Sequence, residues 1–126
     1  QMDTENLLEC YVNLKREMET YMKYLDAWDK KVAIWGASHQ GFTLAATTKL
    51  GEKARYIIDS APFKQGKFAP ASHLPIVGPD HFHEHPVDAI IITAPGYTDE
   101  IAASIRQKFG TAVEIRAMRS NHLEMV

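Results

Sequence analysis

The sequence predicts an α/β fold: an open, mostly parallel sheet of about five strands with helices on both faces, preceded by a long helix. Three observations carry this. Short apolar runs alternate with helical stretches from residue 31 onward, the runs are continuous as in strands covered on both faces, and a glycine turn follows the first of them. The chain has 126 residues, enough for one domain, with 45% apolar and 24% charged residues. Fourteen basic against sixteen acidic residues leave a net charge of −2, which speaks against a nucleic-acid partner and against a polybasic membrane patch. No apolar run approaches the roughly 18 residues that span a bilayer. The single cysteine, Cys10, cannot form an internal disulfide, in keeping with a cytoplasmic setting.

The elements follow in order. Leu7, Tyr11, Leu14, Met18, Tyr21, Leu25 and Trp28 step by four and three, with Leu8 and Met22 widening the stripe. This is an amphipathic helix over residues 4 to 28, capped by Asp3 or Thr4. At 1.5 Å per residue it runs about 38 Å, whereas a five- or six-residue strand covers only about 20 Å. Part of the helix is therefore expected to overhang the sheet, with apolar side chains left for another surface. Residues 31–35 read as a buried strand ending at Gly36, Phe42 to Leu50 as a helix closed by Gly51, and residues 54–58 as a second strand ending at Asp59. A Pro-, Gly- and Lys-rich loop over 60–73 leads to a short strand at 74–77 and a short helix at 79–85. Residues 88–93 form the clearest strand. An amphipathic helix follows over 98–109, through Ile101, Ala102, Ile105 and Phe109, and Val113 to Met118 closes the sheet. The reading divides the chain into a connector helix, 1–30, and an α/β domain, 31–126.

The most chemical feature is Gly36-Ala37-Ser38-His39-Gln40-Gly41 between a strand and a helix. Glycine there lets backbone approach a phosphate, and the helix N-terminus favours negative charge. Asp59, 23 residues after Gly36 at the end of the second strand, stands where a carboxylate commonly bonds ribose hydroxyls. Ser38 replaces the central glycine of a dinucleotide motif, and its Cβ crowds a pyrophosphate. The alternative is that both glycines serve only a tight turn and close helix–strand packing. His39 stands where it could exchange protons near neutral pH, or it is a solvated turn residue. Tyr97, after the fourth strand, reaches the same sheet edge and could stack on a base or sugar, or cap its loop. His81, His83 and His85 invite a metal, but no H-E-x-x-H arrangement accompanies them, and a polar helix explains them; no metal site is expected.

Past Asp59 the sequence reads Asp59-Ser60-Ala61-Pro62-Phe63-Lys64-Gln65-Gly66-Lys67-Phe68-Ala69-Pro70, then His73-Leu74-Pro75-Ile76-Val77. Together with the glycine turn, this resembles the C-terminal domain of the nucleotide-sugar C-methyltransferases over about residues 31 to 118. The resemblance implies a Rossmann-like fold and a place at the end of a larger enzyme. There an upstream zinc-binding region and an S-adenosylmethionine-binding domain carry out methylation of a deoxy-keto-sugar held on a nucleoside diphosphate. The C-terminal domain would hold no cofactor itself, would help bind the nucleotide-diphosphate sugar and would close the active site. No catalytic residue is expected in it, and the isolated domain should not methylate. Gly36, Ala37, Ser38, Gly41, Asp59, Lys64, Gln65, Gly66 and Lys67 match family positions; where the family usually has Gly-Lys, this chain has His39-Gln40. Lys64 and Lys67 suit a diphosphate as point charges. All of the matching residues except Gln65, with His39 and Tyr97, are the candidate nucleotide-sugar residues. Expected partners are the sugar nucleotide and the upstream methyl-donor domain, with a homodimer through the first helix also open. Two other readings stand beside this one: a nucleotide- or partner-binding module without catalysis, and the N-terminal domain of a sugar acyltransferase.

Overall fold

A computed structural model describes residues 4–94, 96–119 and 122–126. Asp3 and Pro95 lie outside the described residues, as do the side chains of Thr4 and Leu7, so the cap and the first stripe position stay with the sequence reading. The elements are α1 (Thr4–Ala27), β1 (Val32–Trp35), α2 (His39–Thr47), α3 (Leu50–Lys53), β2 (Ile57–Ile58), β3 (Ile76–Val77), α4 (His81–Glu84), β4 (Ala89–Ile92), α5 (Thr98–Phe109), β5 (Glu114–Met118) and β6 (Leu123–Met125). They form one sheet in the order β3-β2-β1-β4-β5-β6. The first five strands are parallel, and β6 returns antiparallel on the edge of β5.

Alternation along the strands builds two cores. Val32, Ile34, Ile57, Ile76, Ala89 and Ile91 face the side covered by Met18, Tyr21, Met22 and Leu25 of α1 and Leu44, Ala45 and Leu50 of α2 and α3. Ala33, Trp35, Ile58, Ile90, Ile92 and Ile115 face Phe82, Ala102 and Ile105 of α4 and α5. Successive strand residues point to opposite faces, so each continuous apolar run feeds both layers. The second half of α1 thus belongs to the core. Its first half overhangs: Leu8 is 62% exposed, and Tyr11 and Val12 are exposed as well.

Four details correct the sequence reading. Helix α2 starts at His39, after the extended Ser38, and stops at Thr47 rather than Leu50. Thr47 and Thr48 return their hydroxyls to the Thr43 and Leu44 carbonyls, a side-chain competition that accompanies helix ends. Gly51 does not close a helix. It lies inside α3, where a Cβ would stand 2.2 Å from the Ala45 carbonyl oxygen, so it is there to let α2 and α3 approach. Trp28 leaves the apolar stripe: the helix has ended at Ala27, and the ring is 70% exposed. The sheet gains a sixth strand, β6, whose three residues were too short to signal themselves.

Candidate functional site

In an open parallel sheet, ligands bind outside the carboxyl ends of the strands, where the strand order reverses. Here that point lies between β1 and β4. A cleft of about 420 Å³ opens beside it, lined by Trp35 and Gly36 from the end of β1, Asp59 and Ser60 after β2, Pro79, Ala94 after β4, and one side of α5. It adjoins a hollow of about 690 Å³ over the ends of β2 and β3, with which it shares Ser60, Pro79 and Lys108.

The glycine turn is tightly locked. A Cβ on Gly36 would lie 2.6 Å from Thr93 Oγ1; one on Gly41 would lie 2.3 Å from the Gly36 carbonyl oxygen and 2.8 Å from Thr93 Oγ1. Gly36 also has φ of +131°, a backbone conformation that L side chains rarely adopt. Thr93, fully buried, donates its hydroxyl between the Trp35 and Gly36 carbonyls, at 3.2 and 3.3 Å. Both glycines are thus required by close packing, whatever else they do.

Asp59 and Lys64 also act within the chain. Asp59 Oδ2 accepts the Ala37 N–H and Oδ1 the Ala61 N–H, each at 2.9 Å. Lys64 Nζ donates to the Ala37 carbonyl at 2.9 Å and lies 3.6 Å from Asp59 Oδ2. Gln65 Nε2 donates to the Asp59 carbonyl at 2.9 Å. The acidic residue and the Lys-Gln pair therefore tie the loop after β2 to the turn after β1. The rest of the block seals the sheet edge. Gly66 N donates to the Ile76 carbonyl, Ile76 N to the Lys67 carbonyl and Ala69 N to the Leu74 carbonyl, at 2.8–2.9 Å. Covering an edge strand in this way blunts it against association.

The ten candidate residues are accordingly scattered. Gly36, Asp59 and the exposed Tyr97 line the cleft, and Gly66 lines the adjoining hollow. Ala37 is bound up with Asp59 and Lys64. Gly41 packs inside the turn. Ser38 is half-buried as the α2 N-cap and makes no side-chain cap bond. His39 faces a different groove of about 500 Å³, between α1 and α2, shared with Tyr11, Leu14 and Met118. Lys67 is exposed. Sequence reasoning passed over Ser104 and Lys108. Yet 97, 100, 101, 104 and 108 recur at helical spacing, and all five line the cleft. That period was the available signal.

The strongest electrostatic coupling lies away from the cleft, under α1. Glu114 on β5 accepts hydrogen bonds from Lys30 and Tyr24, and Arg116 stands 4.9 Å over the Tyr21 ring. Burial works against the Glu114 charge, but bonds from Lys30 and Tyr24 and the charges of Lys30 and Arg116 outweigh it, so its carboxyl lies below the usual range. The Glu114 and Tyr24 bonds raise Lys30, and burial raises Tyr21. At the opposite sheet edge burial pushes Tyr56 up to about 12, and its hydroxyl donates to the His85 carbonyl. The His81 and His85 rings lie tilted against each other with centres 4.7 Å apart. Among the described residues no group of three or more His, Cys, Asp or Glu gathers to hold a metal ion. No helix of the described residues is long and apolar enough to cross a membrane.

The fold and the cleft define a Rossmann-like α/β domain with its crevice at the β1/β4 switch. Residues 6–114 match the C-methyltransferase C-terminal domain family, and the chain belongs to it. It is 37% identical over 73 residues to C-methyltransferase NovU of Streptomyces niveus, a stretch covering 57% of this chain and 17% of that protein. The chain thus matches only a small part of that relative's length. The crystal structure of UDP-D-quinovosamine 4-dehydrogenase from Vibrio fischeri superposes with a TM-score of 0.59 at 19% identity, covering 77% of this chain and 93% of that one. At that identity the likeness concerns the fold.

Proposed function

We propose that this domain binds the nucleotide-diphosphate sugar of a sugar C-methyltransferase and closes one side of its active site. The methyl donor, S-adenosylmethionine, and a zinc ion belong to upstream domains in this reading, and the domain supplies no catalytic residue. The observation that carries it is the cleft at the β1/β4 switch in a chain of the C-methyltransferase C-terminal family. A crevice at that position is the default ligand site of such sheets. The upstream methyl-donor domain is the proposed partner for the bare first half of α1, where Leu8, Tyr11 and Val12 lie in the open. Support for a partner comes from the 17% share of NovU that the alignment spans.

Titration calorimetry of this chain with dTDP, UDP and S-adenosylmethionine tests the division of labour. Binding of a nucleoside diphosphate without binding of S-adenosylmethionine is the expected outcome. Tight binding of S-adenosylmethionine, or of neither diphosphate, overturns it.

A further inference from the structure

We infer that the cleft recognises the uncharged nucleoside part of its ligand, base and ribose, and leaves the diphosphate to be gripped from outside this domain. This rests on the nucleotide-binding reading above and refines it. Three features of the molecule carry it.

Part of what the motif offered to a phosphate is already used. Gly36 N donates to the Ile58 carbonyl and Ala37 N to Asp59, each at 2.9 Å. The Lys64 ammonium is held by the Ala37 carbonyl and the Asp59 carboxylate. A phosphate seated there must break this internal set, leaving half-buried partners unsatisfied.

The linings also carry the wrong charge for a diphosphate. Asp59 and Glu100 line the cleft, and Asp80 and Glu84 line the adjoining hollow; against them stand Lys108, common to both, and His81. Ionised carboxylates only accept hydrogen bonds. The phosphates of a nucleotide sugar are diesters with no hydrogen to give, so they meet both repulsion and a shortage of donors. Ribose hydroxyls and base N–H groups are donors and match these acceptors.

The walls suit a flat base. Pro79, Ala94 and Ile101 supply apolar surface, and the Tyr97 ring, 63% exposed, is not committed to the core. Tyrosine presents a stacking face with a polar tip. The hydroxyls of Ser60 and Ser104 make no internal hydrogen bond among the described residues, so both can exchange bonds with a base edge.

Competition calorimetry on this chain with thymidine, uridine, dTDP, UDP, inorganic pyrophosphate and glucose tests the inference. A nucleoside is expected to bind within about threefold of its own diphosphate, with little dependence on salt and no competition from pyrophosphate or glucose. Tyr97→Ala is expected to weaken nucleoside binding by about tenfold while leaving the thermal midpoint unchanged. Competition by pyrophosphate, displacement by glucose, or a diphosphate binding more than about tenfold tighter than its nucleoside overturns the inference and leaves the nucleotide-binding reading intact. Failure of every nucleoside and every diphosphate to bind removes both.

Discussion

The turn after β1 and the side of α5 that faces it border one cleft and treat their polar groups in opposite ways. In the turn, Ala37, Asp59 and Lys64 spend hydrogen-bonding capacity on one another, and Thr93 gives its hydroxyl to the Trp35 and Gly36 carbonyls. On α5, the side chains of Ser104 and Lys108 make no hydrogen bond or ion pair among the described residues, and Tyr97 at its N-terminus stands in solvent. The turn carries the sequence motif, and the helix carries no motif at all. Under the proposed function, the contrast separates scaffold from ligand-facing surface. A residue already satisfied within the chain holds the site in shape, and one left unsatisfied is available to a ligand.

The sharpest way to break the scaffold side is Gly41→Ala. Its methyl group would meet backbone oxygen at 2.3 Å and buried Thr93, neither of which is the free end of a flexible side chain. Overpacking of this kind is expected to cost about 3 kcal/mol, read as a fall in the urea midpoint; an unchanged midpoint contradicts the locked turn. Asp59→Asn comes next. An amide cannot accept both the Ala37 and Ala61 N–H groups, and it removes the attraction for Lys64, so a loss of about 1–3 kcal/mol is expected. Faster hydrogen exchange at the Ala37 and Ala61 amides would localise that loss to the turn.

The smallest effect concerns a second locked region, the cluster beneath α1. Glu114 holds its proton less tightly folded than its ordinary value of 4.5. Its stabilisation is therefore fully present above that value and is lost as pH falls through the lower folded value. Glu114→Gln should flatten the acid limb of stability against pH and leave the slope near neutrality unchanged. Urea midpoints across that range check it; an unaltered acid limb means the Lys30 and Tyr24 contacts do not stabilise the charge.

Much of the fold was legible because local patterns encode it. Continuous Val and Ile runs gave four of the five parallel strands their place, and the stripe from Met18 to Leu25 gave α1 its buried face. The length comparison anticipated the overhang at Leu8, Tyr11 and Val12. What local pattern could not give were short-range competitions and distant pairings. The Thr47-Thr48 pair ended α2 early, and β6 was too brief to read. The candidate site was half legible. Gly36, Asp59 and Tyr97 do meet at one cleft, while His39 turns to another groove and Lys67 stands away.

By itself the sequence determined the class of fold and the family, and it pointed to the sheet edge where the proposed site lies, since periodicity and motif spacing are properties of neighbouring residues. Only the tertiary structure decided which polar groups remain free at that edge. Asp59 meets Ala37 across 22 residues, and Thr93 reaches Gly36 across 57, through a strand register that no local pattern records. That register spends the Gly36 and Ala37 donors and the Lys64 ammonium inside the chain and leaves the unmarked side of α5 open to the cleft.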